Sequence, residues 1–286
     1  MKYQVFTAPI HLQGLVQCFW SLESSRDETT PHDYFLMADN CPEIIFQYNE
    51  GFKNYSAQSA RMRFQHSVHN RFDVGKRIGF FGVRLYPHAV NQLLHMPATE
   101  VVNQVFDFSD LFKPEGSELA DQVYNETTTA GRIARVSAFL SKKAFCFKVD
   151  PIVHFVDHVV KRSGRVDLPG MQQASGLSVK QFERRFKAIA GFPPKYFARI
   201  ARFQSVKDRY CTGGFPTLTS LAYSCNYYDQ SHFNREFKEF AGVHPLKYLK
   251  PIGLGKTKSA GDPGNAVLME TGPHKFDGYL PCGWFV

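Results

Sequence analysis

The chain lacks any long apolar run: nowhere do its 286 residues approach the roughly 20 consecutive apolar positions that a membrane-spanning helix needs. A membrane partner is therefore not expected. The opening residues, MKYQVFTAPIHLQG, have no basic segment followed by an apolar block and a small-residue cleavage site, so the expected location is the cytoplasm. Cysteine is sparse, with six residues at 18, 41, 146, 211, 225 and 282 and no Cys-Xaa-Xaa-Cys pair. That scatter points to reduced core thiols rather than a disulfide framework or a clustered zinc site. His154 and His158 stand four apart on one helical stretch, but no carboxylate or thiol is recognisable as completing a metal site, and none is expected. Also missing are the Gly-Xaa4-Gly-Lys-Ser/Thr phosphate loop, the Gly-Xaa-Ser-Xaa-Gly elbow and the His-Glu-Xaa-Xaa-His pair. The expectation is a protein that is not an enzyme and requires no cofactor.

What is present is an uneven charge. The formal net charge is +8, and residues 150–250 carry all of it: 16 Lys and Arg against 8 Asp and Glu there, 18 against 18 elsewhere. A basic segment fits a solvated surface, an acidic partner or nucleic acid; its confinement to one segment favours nucleic acid.

Patterning divides the chain at the same place. Residues 1–112 contain short aromatic and branched stretches, LVQCFWSLES, CPEIIFQY, MRFQHSVH and RIGFFGVRLY, separated by turn-forming clusters, which reads as mainly sheet. HAVNQLLHM and the stretch after ATEVVNQVFDFSDLF read as helical. A helical connector is expected over 113–149, with Leu119, Val123, Ile133, Val136 and Leu140 as buried positions. From 150 to 250 the signals are all helical: Asp150 as a cap, Pro151 at the first helical position, then the stripe Ile152, Phe155, Val156, Val159 and Val160. Residues 251–286 begin as a Gly/Pro/Lys/Ser-rich linker and close with FDGYLPCGWFV, an aromatic tail expected to dock on the body or a partner, or to remain loose. The expected fold class is α+β, a β-rich N-terminal domain followed by an all-α domain.

Within the basic segment lies a repeat. FERRFKAIAG (182–191) and FNREFKEFAG (233–242) agree at six of ten positions with a constant offset of 51. One supersecondary unit is thus used twice. Each copy reads as helix, tight turn, helix. In the first, Asp167 caps a short helix, Gly176 turns the chain, and Ser178 with Gln181 forms a capping box. In the second, Thr217 caps, Asn226 turns and Asp229 caps the next helix. Phe182, Phe186 and Ile189, with Phe233, Phe237 and Phe240, form the inward stripes. The outer faces then carry Lys180, Glu183, Arg184 and Lys187, and Ser231, Asn234, Arg235 and Lys238.

A helix about 10–12 Å across fits the roughly 12 Å major groove, where Arg suits guanine, Asn or Gln suits adenine and Ser suits several edges. Between the copies, PPKYFARIARFQSVKDRYC reads as one continuous helix from Pro194 to Tyr210. At 1.5 Å per residue it spans about 25 Å, long enough with its flanking turns to hold two reading helices near one DNA turn apart, about 34 Å.

These residues carry a resemblance. LAYSCNYYDQSHFNREFKEFAGVHPLKY (221–248) resembles the second helix-turn-helix signature of AraC/XylS-type bacterial transcription regulators, and the likeness extends over 150–249. It departs at Asn226, where Gly is usual, and at Gln172, where Ala is usual; Pro169 and Gly170 are poor helix formers in the first unit. The resemblance implies sequence-specific binding to double-stranded DNA, with base contacts from Lys180, Glu183 and Arg184 in the first reading helix and from Gln230, Ser231, Asn234 and Arg235 in the second. Lys187 and Lys238 are expected to face phosphate or solvent. An activator of this type would also meet RNA polymerase. Two other readings stay open: a methyl-accepting DNA-repair protein using Cys18 or Cys41, and a co-regulator acting through protein contacts alone.

The N-terminal half, through PEIIFQY, GVRLYPHAVNQLLHMPATEV and FDFSDLF, is similar to sensor-like domains of some AraC-type regulators. That similarity implies effector binding, homodimer formation or both. Trp20, Phe35, Tyr48, Phe81, Arg84, Tyr86 and His88 would line an effector pocket with Arg84 receiving a carboxylate or phosphate; alternatively the aromatics fill a sheet core and Arg84 makes a structural ion pair.

Overall fold

The computed structural model describes residues 2–24, 32–48, 58–67, 69–74, 78–144, 150–212, 215, 217–249 and 283–285. The α+β class expected from patterning is what the structure has: among the described residues most strands lie before residue 108 and most helices after it, with one further short strand at Gly283–Phe285.

Among the described residues, nine strands make two antiparallel sheets. In chain order they are β1 (Lys2–Thr7), β2 (Val16–Glu23), β3 (His32–Leu36), β4 (Glu43–Tyr48), β5 (Gln58–Arg63), β6 (Asn70–Val74), β7 (Gly79–Leu85), β8 (Val105–Asp107) and β9 (Gly283–Phe285). The larger sheet has the order β1-β2-β7-β4-β5-β8, the smaller β6-β3-β9. Strand β9 comes from the aromatic tail, pairing Tyr34 with Phe285; the linker before it lies outside the described residues.

Every residue of β7, GFFGVRL, is buried, because the sheet is covered on both faces and period-two alternation sends neighbours to different cores. Phe81 and Val83 join Phe19, Ile44 and Phe46 in the larger N-terminal core, which the connector helices close with Leu119, Val123, Val136 and Leu140. Phe80 packs instead with Trp20, Leu22, Leu36 and Ile78 on the other face. By the same alternation Arg84 lies on the Trp20 side, opposite Cys18 and Glu43 in register.

The helices are α1 (Ala89–Leu94), α2 (Phe108–Leu111), α3 (Glu115–Asn125), α4 (Thr129–Ala144), α5 (Ile152–Lys161), α6 (Leu168–Ala174), α7 (Val179–Ala190), α8 (Pro194–Thr212), α9 (Leu218–Ser224), α10 (Gln230–Ala241) and α11 (Pro245–Tyr248). Within the stretch expected as a connector the structure has an α-hairpin, α3 and α4, with Ile133 half-buried rather than buried. No helix among the described residues is long and apolar enough to cross a membrane. Around α8 a further, helical core gathers Val156, Phe182, Phe186, Phe197, Phe203, Phe233, Phe237 and Phe240. Each buried Phe of this kind contributes about 1.5–3 kcal/mol relative to exposure. Met37 and Ala38, from the N-terminal half, belong to this helical core as well.

Candidate nucleic-acid interface

The two helix-turn-helix units are α6–α7 and α9–α10, joined by α8. Local chemistry sets each start. Ser178 accepts from the Gln181 backbone N–H while Gln181 reaches back to the Ser178 N–H, so the capping box read from sequence is present. Thr217 caps α9 through Ser220, and Asp229 caps α10 by accepting from the His232 N–H at 2.6 Å. Asp167 differs: it occupies the N-cap position of α6, but its side chain makes no capping bond. The turns use left-handed residues, Gly176 at φ 67° and Asn226 at φ 60°, so Asn replaces the usual Gly without changing the turn. Pro169 and Gly170 do not prevent α6, since Pro falls in its first turn, where no intrahelical N–H bond is lost. Gln172, at the position where Ala is usual, donates its amide to the Leu177 carbonyl and so ties the turn of the first unit.

The spacer α8 is one unbroken 19-residue helix. Both α7 and α10 pack on it: Phe186 meets Phe197, and Phe237 and Phe240 meet Phe203, at ring centroid separations of 5.4–5.5 Å. The inward stripes are therefore buried, and the opposite faces are left to solvent. Lys180, Glu183, Arg184 and Lys187 are exposed on α7; Ser231, Arg235 and Lys238 are exposed on α10. Gln230 and Asn234 are half-buried, and Gln230 Oε1 already accepts from the Thr219 hydroxyl at 2.6 Å.

Sequence reasoning missed two residues that hold the reading helices in place. Glu236 is 2% exposed and lies inside α10, where it accepts from Arg199 Nε at 2.9 Å and from Arg202 at 2.8–3.1 Å. Its counterpart in the repeat, Arg185, donates to both carboxylate oxygens of Asp150 at 2.7 and 2.8 Å. Asp150 also accepts from the Ile152 N–H at 2.8 Å, so the expected cap of α5 doubles as an anchor for α7. Position 185/236 is one of the mismatches in the repeat. A change of charge sign between two otherwise matching helices is the signal that each copy uses that position against a different neighbour.

The four candidate effector residues are occupied by the protein itself. Trp20 is 5% exposed and packs over Gly82. Arg84 makes a bidentate ion pair with Asp39 and reaches Glu43 at 3.3 Å, which is the structural ion pair of the second reading. His88 sits 3.2 Å from Asp157 on α5 and 2.8 Å from the Gly14 carbonyl, with Tyr86 stacked on its ring. Phe81 and Tyr48 belong to the larger N-terminal core on the opposite face of the sheet, and the Phe35 side chain lies outside what is described. A groove of about 520 Å³ lies elsewhere, between α3 and α4, lined by Glu115, Leu119, Arg135, Phe139 and Lys142 among others.

The thiols proposed for methyl acceptance are ill suited to it. Burial pushes Cys18 up to about 12 against the opposing pull of Arg84, and burial likewise raises Cys41. A nucleophilic thiol needs the reverse shift. His154 and His158 are exposed on α5.

Residues 171–251 match the family described as helix-turn-helix domain, and residues 4–107 match a domain of unknown function (DUF6597). No curated protein sequence matches the chain. Among solved structures, ToxT from Vibrio cholerae (P21 form) is similar at 13% identity over 81% of this chain and 97% of that one, with a TM-score of 0.45. ToxT bound to (E)-4-(8-methylnaphthalen-1-yl)but-3-enoic acid gives 12%, 87%, 98% and 0.46, and ToxT bound to an unsaturated fatty acid gives 14%, 89%, 98% and 0.44. Likeness of that degree decides neither ligand nor mechanism. The matched family and the two capped units make residues 171–251 a helix-turn-helix domain, and the 221–248 signature within it resembles that of AraC/XylS-type DNA-binding transcription regulators.

Proposed function

We propose that this protein is a cytoplasmic, sequence-specific transcription regulator that reads two successive major-groove segments of one DNA face. One observation carries the reading: two repeat-equivalent helices, each capped at its N-terminus and buried along its Phe stripe, present polar side chains outward from a basic segment. Lys180, Glu183 and Arg184 on α7, and Gln230, Ser231, Asn234 and Arg235 on α10, contact base edges; Lys187 and Lys238 contact phosphate. The functional division is 1–112 for regulation, 113–149 for connection and 150–250 for DNA. The N-terminal domain senses a small molecule or pairs with a second copy. An acidic effector at Trp20, Arg84, Tyr86 and His88 would displace Asp39 from Arg84. The protein needs no cofactor or metal and catalyses no reaction; as an activator it would contact RNA polymerase.

The test is selection from randomised duplex DNA, followed by mobility shift with the enriched duplex and a scrambled one. Enrichment of a two-part motif supports the reading. Equal binding to enriched and scrambled DNA overturns it.

A further inference from the structure

Each reading helix ends in carbonyls with no partner inside the helix. The N-terminal domain supplies donors to both. In α7, the Ala188 carbonyl accepts from the Asn91 side-chain amide at 3.2 Å. In α10, the Phe240 carbonyl accepts from the Ala38 backbone N–H at 3.0 Å. The next residues out are equivalent in the repeat, Gly191 and Gly242, both left-handed at φ 82° and 76°. Each lies hard against the N-terminal domain: a Cβ at Gly191 would fall 2.9 Å from Val102 Cγ2, and one at Gly242 2.1 Å from His69 Cδ2. The domain therefore grips the same point of both units.

It also grips the spacer between them. Asn40 donates to the Phe197 carbonyl at 2.8 Å in a fully buried contact, and Gln204, two turns further along the same face of α8, donates to the Asp39 carboxylate. Asp39 is in turn held by Arg84 at 2.9 and 3.0 Å and by the Cys41 N–H at 2.8 Å. Ala38, Asp39 and Asn40 thus touch α10 and α8 from three consecutive positions. All of these contacts lie away from the N-terminal halves of α7 and α10, which carry Lys180, Glu183 and Arg184 and Gln230, Ser231, Asn234 and Arg235.

We infer that the N-terminal domain acts as a clamp setting the separation and angle of the two reading helices, with Asn91, Asn40 and the Asp39–Gln204 contact as positioning residues. The inference rests on the DNA-reading function proposed above. Without the clamp, α8 is joined to α7 by one short turn and a packed face, and to α10 through α9, a packed face and the ion pairs of Arg199 and Arg202 with Glu236. With it, the distance between the helices is held from a third side. The consequence is a spacing rule. Inserting one base pair between half-sites moves them apart by about 3.4 Å and rotates them by about 35°, which a clamped pair tolerates poorly and a loosened pair tolerates better.

The experiment uses the full chain, wild type and two single variants of half-buried side chains, Gln204→Ala, which removes the bond to Asp39, and Asn91→Ala, which removes the bonds to the Ala188 and Met96 carbonyls; thermal unfolding verifies that each is folded. All three undergo selection from randomised duplex DNA, and the enriched sequences are scored for the distance between half-motifs. Affinities are then measured on duplexes with that distance altered by one base pair. Wild type should enrich one spacing and lose on the order of tenfold or more on the altered duplex, comparable to a mismatched base pair. The variants should enrich the same half-motifs at two or more spacings, with the loss reduced to about threefold or less. Variants that keep a single spacing and bind all duplexes uniformly more weakly overturn the clamp. A wild type that enriches no two-part motif overturns the DNA-reading proposal, and the clamp with it.

Discussion

The Arg84 guanidinium meets both carboxylate oxygens of Asp39, at 2.9 and 3.0 Å, with 2% and 1% of the two side chains exposed. Glu43 and Arg63 extend the cluster to two acids and two bases, so its formal charge is balanced inside the protein. Removing one member leaves a buried charge short of its partner.

Asp39→Ala should therefore lower unfolding stability by about 3 kcal/mol, toward the low end of the usual 3–5 because Glu43 still faces Arg84. Asp39→Asn keeps an acceptor for Gln204 and should differ from Asp39→Ala. Urea unfolding followed by circular dichroism measures both. A change below about 0.5 kcal/mol for Asp39→Ala, the range of ordinary surface substitutions, would contradict this account of the cluster.

Glu236→Ala and Arg185→Ala remove repeat-equivalent anchors with unequal surroundings. Glu236 is buried, whereas Arg185 and Asp150 are 38% and 33% exposed. Glu236→Ala should cost about 1–3 kcal/mol, because Arg199 and Arg202 regain some solvent, and Arg185→Ala about 0.2–1 kcal/mol. The order of the two unfolding midpoints is the measurement, and reversal would show that burial does not govern these anchors.

Arg235→Ala should cost about 1–3 kcal/mol of discrimination at one base pair. Lys238→Ala should weaken binding to every duplex and reduce the slope of log affinity against log salt by about 1. Titration of both variants on matched and single-mismatch duplexes at several salt concentrations separates the roles. Identical uniform losses would contradict them.

His66 is 2% exposed, and burial, aided by Arg63, holds its ring well below the usual imidazole range. The unfolded chain takes up a proton near pH 6.5 that the folded chain refuses, so this contribution to stability is intact above about 6.5 and is lost as pH falls toward the depressed folded value. Between pH 7.5 and 5.5 the loss attributable to His66 should be on the order of 1 kcal/mol. His66→Gln should show a shallower decline over that interval in urea unfolding. Parallel declines would mean that the ring protonates freely in the folded protein.

The helical half was legible because its determinants are local. Ser178 and Gln181, Thr217, Asp229, and the left-handed residues Gly176 and Asn226 act within a few positions of themselves, and the Phe stripes repeat at helical spacing. Such signals survive without knowledge of any partner. Asp167 shows the limit: the residue type and position of a cap are visible, but whether its oxygen reaches an N–H depends on a rotamer set by the surroundings.

The sequence by itself determined a strand-rich first part with a helical segment after it, the two capped units with their buried Phe stripes, the continuous spacer and the polar faces left outward. Tertiary structure alone decided that Arg84 is closed by Asp39, that Glu236 and Arg185 anchor their helices to different neighbours, and that residues 38–40 reach α8 and α10. The reason is range. Helical periodicity and capping are short-range properties of the backbone, whereas an ion pair or a bonded carbonyl between residues such as 39 and 204 exists only once two separately folded surfaces have met.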